Sequence, residues 1–149
     1  MAGMKELAEH IISVANETEK SITNLQLQKI LFFIFGRLVK NNGSQDSLVL
    51  KTYDLQFRRW SYGPVIEQIY FDYNHFGGRP ILDSNVKKSK DYAQFDDAIK
   101  QLLEIDPFRL VEITHKLPSW ARFKEDIENR NYIPPYQIED FKREFGRNG

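Results

Sequence analysis

Ile22-Thr23-Asn24-Leu25-Gln26-Leu27-Gln28-Lys29-Ile30-Leu31-Phe32-Phe33-Ile34-Phe35-Gly36-Arg37-Leu38 is the stretch on which the fold turns. Thr23 followed three residues later by Gln26 is a capping-box pattern, in which each side chain satisfies an orphan amide at the other position. Ile22 and Leu27 occupy the staple positions around that cap. Leu27, Ile30, Leu31, Ile34 and Leu38 form one helical stripe, and Phe32, Phe33 and Phe35 widen it. A helix apolar on most of its circumference belongs at the centre of a fold. Asn41-Asn42-Gly43 supplies its end, with Asn or Gly able to take the left-handed cap.

Working outward, Met4 to Ala15 reads as a helix on the spacing of Leu7, Ala8, Ile11, Ile12 and Ala15, followed by a polar loop. Alternation of Leu48 and Leu50, and of Leu55 and Phe57, predicts two short strands between Ser47 and Ser61. Gly63-Pro64 reads as a helix start, because proline suits a first turn. Further helices are expected over 91–103, from Asp106-Pro107 to about His115, from Ser119 as a cap to about Glu128, and after Pro134-Pro135. The expected fold class is mainly α (α+β): a compact helical domain with a small antiparallel strand pair inserted after the second helix. One domain spans 1–149, with a helix and loop over 1–21, a core over 22–141 and a tail over 142–149.

The chain has 149 residues, no cysteine and a formal net charge of zero. Absence of thiols excludes disulfides and thiolate metal sites. Zero net charge argues against a dedicated duplex-binding protein, whose affinity rests on a basic excess. No apolar run is of signal-peptide or membrane-spanning length, so a cytoplasmic protein without membrane association is expected.

Two conspicuous runs remain: Phe57-Arg58-Arg59-Trp60-Ser61-Tyr62-Gly63-Pro64-Val65 and Thr114-His115-Lys116-Leu117-Pro118-Ser119-Trp120. Neither holds a catalytic spacing. His10, His75 and His115 follow no metal-binding pattern, and there is no nucleophile elbow, phosphate loop or dinucleotide fingerprint. No catalytic residue, metal or cofactor is therefore expected. Arg58-Arg59-Trp60-Ser61-Tyr62 suits phosphate and base contacts, but the side-chain types most enriched at protein interfaces are also Trp, Tyr and Arg. Trp60 and Trp120 read as core residues. His115 reads as a histidine bonding orphan carbonyls at a helix end, and Lys29 alone as an ordinary surface lysine.

Taken together these runs resemble the Panacea domain family, also called SocA-like antitoxin or phage-associated GepA-like domains. Thr23, Asn24, Leu27, Gln28, Lys29, Ile30, Leu31, Phe32 and Gly36 follow the family's first pattern. Phe57, Trp60, Tyr62, Gly63, Pro64, Val65 and Tyr70 follow its second. Ile113, Thr114, His115 and Trp120 follow its third, and Ile138, Asp140 and Phe141 resemble its closing pattern. The chain departs from the family at Arg58-Arg59, where Glu-Ala is common, and at the Leu-Pro-Ser approach to Trp120.

The resemblance implies a bacterial or phage-encoded antitoxin that neutralises a cognate toxin by binding it, with no enzymatic activity. Some family members act instead as protease adaptors. A second reading is an enzyme or nucleotide-handling protein using Trp60, Tyr62, His115 and Trp120 as a small-ligand pocket. A third is a phage accessory protein binding a host protein. No DNA binding by the chain alone is expected. The matched polar residues are expected to converge in space. Arg58, Arg59, Tyr62, Lys29 and His115 are the expected partner-binding residues. Thr23, Gln28, Leu31, Trp60, Gly63, Pro64, Thr114 and Trp120 are the expected structural ones. Arg59→Ala and Tyr62→Ala are expected to leave the melting temperature within a few degrees while abolishing partner binding.

Overall fold

The computed structural model describes residues 2–146. It is mainly helical with one small antiparallel sheet. Helix α1 (Met4–Glu17) leads to α2 (Asn24–Asn42), which runs through the middle and packs on α1 and on most of the elements that follow. Thr23 caps α2 as expected: its hydroxyl accepts from the Gln26 amide at 3.2 Å, and the Gln26 side chain accepts from the Thr23 amide at 3.0 Å. Leu27, Ile30, Leu31, Phe32, Ile34, Phe35 and Leu38 are all buried, so the stripe is the core.

Ser47–Thr52 is a helix, α3, and not the expected strand. Asp46 decides this, because its carboxylate accepts from the Leu48 and Val49 amides at 2.9 and 3.2 Å and starts a turn. The strand pair lies later, β1 (Phe57–Trp60) against β2 (Gly63–Ile66), in register from Phe57↔Ile66 to Trp60↔Gly63. Gly63-Pro64 therefore belongs to a strand, and the helix expected there, α4, starts only at Glu67 and ends at Tyr73. Pro64 is tolerated because it lies on the outer edge of β2, where no ladder bond needs its missing N–H.

A 3-10 segment, Lys90–Phe95, precedes α5 (Asp96–Leu103). Then come α6 (Pro107–Lys116), α7 (Pro118–Ala121), α8 (Lys124–Glu128) and α9 (Ile138–Phe145). The single helix expected from Ser119 is thus two short ones, and Ser119 makes no cap; its backbone N–H instead donates to Glu144 at 2.7 Å. The expected tail is helical to Phe145, and residues 147–149 lie outside the described residues.

Aromatic rings join α2 to β1 and α9. Phe32 meets Phe57, Phe141 and Phe145 at centroid separations of 5.7, 5.1 and 5.6 Å. Such edge and tilted contacts add to the energy of area burial. Gly36 makes room for this ring, since a Cβ there would displace Phe145. This packing fixes the sheet against α2 and leaves its turn, Ser61-Tyr62, at the surface.

Candidate protein-binding face at the hairpin tip

The three matched runs meet at Gly63. Its φ of +100° is in the region that favours glycine, and a Cβ there would lie 2.6 Å from Thr114 Oγ1 and 3.3 Å from Lys29 Cε. Around this point, side chains from other elements hold the hairpin's carbonyls. Lys29 Nζ donates to the Pro64 carbonyl at 2.7 Å. Trp120 Nε1 donates to the Trp60 carbonyl at 2.9 Å. His115 Nε2 lies 2.8 Å from the Ser61 carbonyl, and since a carbonyl only accepts, Nε2 carries the proton.

Gln28 completes the edge of β2. Its Oε1 accepts from the Ile66 amide at 2.9 Å, and its Nε2 donates to Asn24 Oδ1 at 3.2 Å. The Asn24 amide in turn donates to the Tyr70 carbonyl at 3.0 Å. Polar side chains of α2 thus do the work of a third strand, satisfying backbone groups that a buried sheet edge would otherwise orphan.

Lys29 is not the surface lysine that its sequence position suggests. It is 0% exposed, and burial lowers its pKa to about 7. No carboxylate stands opposite it among the described residues. Arg59 likewise departs from the expected interface role. The residue is 5% exposed, and its guanidinium lies between the Phe123 and Tyr136 rings at 4.3 and 4.0 Å from their centroids. Its nitrogens donate to the Ser119 and Pro134 carbonyls at 2.6 and 2.7 Å and to Asp140 at 3.3 Å. Burial opposes ionisation of Asp140, but the Gln137 amide and then Arg59, Arg143 and Arg122 outweigh it and hold its carboxyl below the ordinary value. Arg59 is occupied on both faces and along its fork, which makes it a tie between β1 and the C-terminal segment.

His115 is half-buried and stacks on Trp120 with ring centroids 3.9 Å apart. It serves the hairpin turn and not the carbonyls of its own helix end. Burial, with the charges of Lys29 and Lys124, outweighs the Ser61 hydrogen bond and holds its pKa below the ordinary histidine value. Trp60 is half-exposed, contrary to a core position. Its indole N–H donates to Glu67 at 3.0 Å and its ring meets Tyr70 edge-on at 5.1 Å.

Tyr62 is the residue that these ties present. It is 62% exposed and stands between two clefts. One, about 450 Å³, is lined by Trp60, Ile127, Arg130 and Ile133. The other, about 480 Å³, is lined by Phe108, Arg109, Val111 and His115. Phe108 and Tyr132 are 61% and 79% exposed. Sequence reasoning passed over Phe108, Tyr132 and Arg130. Phe108 was legible in principle as the large apolar residue of α6 that lies off its Leu110-Val111-Thr114 stripe. The other two lie in the irregular stretch after α8, where periodicity carries no signal.

A larger open depression, about 810 Å³, lies between the end of α1 and residues 81–88. Much of its polar lining ties these segments together, with Asn16 donating to the Asp83 carbonyl at 2.9 Å and Lys88 pairing with Glu17 at 3.2 Å and Asp96 at 2.8 Å. Among the described residues, no group of three His, Asp or Glu is placed to hold a metal ion, and no helix is long and apolar enough to cross a membrane. No family model, curated protein or solved structure matches the chain.

Proposed function

We propose that this chain is an antitoxin-like protein-binding module, bacterial or phage-encoded, that neutralises a cognate toxin by direct contact. The observation that carries this reading is Tyr62, held out at the tip of a hairpin whose carbonyls at Trp60, Ser61 and Pro64 are each tied from another element. An exposed aromatic on a preorganised backbone loses little entropy on binding, which is what an interface anchor requires. The exposed Phe108 and Tyr132 and the neighbouring arginines match the composition of interface hot spots. The resemblance of the three runs to Panacea-type antitoxins supplies the class of partner.

Within this reading Tyr62 and Arg58 touch the partner, while Lys29, Arg59 and His115 hold the surface in shape. The indole N–H groups of both tryptophans and Nε2 of His115 are taken by the fold, which favours protein docking over a small-ligand pocket built from those groups. The test is co-expression with the product of the neighbouring reading frame. That product should arrest growth alone, and this chain should restore it. The double variant Tyr62→Ala, Phe108→Ala should melt as the parent does and fail to restore growth. A neighbouring product that is harmless, or toxic but not relieved by this chain, overturns the antitoxin reading.

A further inference from the structure

The hairpin face carries charge that the fold does not use. The cleft beside Tyr62 adjoins a second, about 290 Å³, and the two share Trp60 and Ile133. Arg130 lines the first and Arg58 the second. Among the described residues neither guanidinium meets a carboxylate. Among the same residues Arg58 donates once, to the Ile133 carbonyl at 3.3 Å, and the Arg130 side chain makes no bond. Of the acidic side chains near them, Glu67, which also lines the second cleft, accepts from the Trp60 indole at 3.0 Å, and Asp126 accepts from Asn131 at 3.1 Å. Arg59, which also borders both clefts, is paired inside with Asp140.

Arg130 has a second peculiarity. It stands at φ +58° just past α8, where its own N–H bonds the Ile127 carbonyl at 3.2 Å and the Asn131 N–H bonds the Asp126 carbonyl at 2.9 Å. That helix ending favours glycine. The chain places an arginine there and leaves its guanidinium free beside an apolar wall of Ile127 and Ile133.

We infer that the cleft between Tyr62 and Arg130 takes an acidic segment of the partner protein. An apolar or aromatic side chain enters against Ile127 and Ile133, and a neighbouring carboxylate meets Arg130 and Arg58. Guanidinium forks bind carboxylates in charge-assisted, often bidentate pairs, the strongest hydrogen bonds available to such a surface. Zero net charge over the whole chain favours a short acidic segment over a nucleic acid, which needs a wide basic field. The inference rests on the protein-docking reading and names the chemistry of its partner.

The experiment is to pan a display library of random linear peptides against the full chain and to remake the selected peptides with a fluorescent label. Selected peptides should pair an aromatic or aliphatic residue with Asp or Glu. Replacing that acid by its amide should weaken binding at least about tenfold, as loss of a charge-assisted pair does. Arg130→Gly should lose binding to the same degree while melting at or above the parent temperature. Glu19→Gly serves as control, because Glu19 closes α1 at φ +56° by the same hydrogen-bond pattern, away from the clefts. It should melt higher and bind as the parent does. Selected peptides without acids, or full affinity in Arg130→Gly, would overturn the acidic segment and leave protein docking standing. Selected peptides indifferent to Tyr62→Ala, a library that yields no ligand, or tighter binding of a random single-stranded oligonucleotide at physiological salt would overturn both.

Discussion

Arg59 and Lys29 are two buried cations held in opposite ways, and the difference sets how each responds to change. Arg59 has three hydrogen-bond acceptors, one of them a carboxylate, and two aromatic faces. Arg59→Ala should therefore cost about 3–5 kcal/mol, the usual result of removing one partner of a buried pair, instead of leaving stability unchanged. Arg59→Lys should recover less than half of that, because an ammonium cannot reproduce the planar fork. Urea unfolding of both variants checks this, and a melting temperature within a few degrees of the parent in Arg59→Ala would restore the interface role. Lys29 has one carbonyl and, among the described residues, no counter-charge. Its pKa falls from 10.5 to about 7 because it is buried. Between those values the unfolded chain keeps the proton and the folded chain has released it. Stability contributed through Lys29 therefore rises with pH across that window and is flat below it, with a slope of at most about 1.4 kcal/mol per pH unit. Lys29→Met lacks the titrating group, so the parent should gain on it steadily from pH 7 to pH 10. Parallel stability curves for the two proteins would place the amine's titration elsewhere.

At the scale of elements, α2 was legible because its start and its stripe are both local signals. Thr23→Ala should cost about 1 kcal/mol and Thr23→Asp much less, since aspartate also accepts from the orphan amides. Thermal melts of the two variants decide this, and equal losses would mean that the Thr23–Pro80 bridge, not the cap, holds the residue. The hairpin was displaced in the sequence reading for a physical reason. Asp46 followed by alternating leucines reads equally as a strand approach or a helix cap, and the amides of Leu48 and Val49 settle it. Pro64 reads as a helix start unless the edge position of β2 is known. The burial of Lys29 and Arg59 was not legible, because their partners lie 35 and 60–81 residues away. A charge enters a core only where the fold brings acceptors to it, and no window of sequence shows them.

At the scale of the molecule, the three runs are one structural device. Motif residues from α2, the hairpin and α6–α7 are spaced along most of the chain, yet they close on a single glycine. The expectation that their polar groups converge was right, but most of what converges is buried, and only Tyr62 and its neighbours face outward. This arrangement couples packing to presentation. The tip cannot shift without disturbing Pro64, Thr114 and Trp120 together, so tip geometry should be lost with the whole fold and not before it. Gly63→Ala tests that coupling. A Cβ at φ +100° is strained, and it meets Thr114 Oγ1 at 2.6 Å, so the variant should lose about 3 kcal/mol. Thr114→Ala alone should cost about 1 kcal/mol through its lost bond to the Val111 carbonyl. In the double variant the clash is gone, and the combined loss should fall short of the sum by about 1 kcal/mol. Trp60 and Trp120 are the chain's two tryptophans and both belong to this device, so their fluorescence reports it directly. In every variant the fluorescence and far-ultraviolet circular dichroism transitions should coincide. Additive losses, or a fluorescence transition preceding the helical one, would show that the tip is an independently mobile hairpin resting on the core and not a part of it.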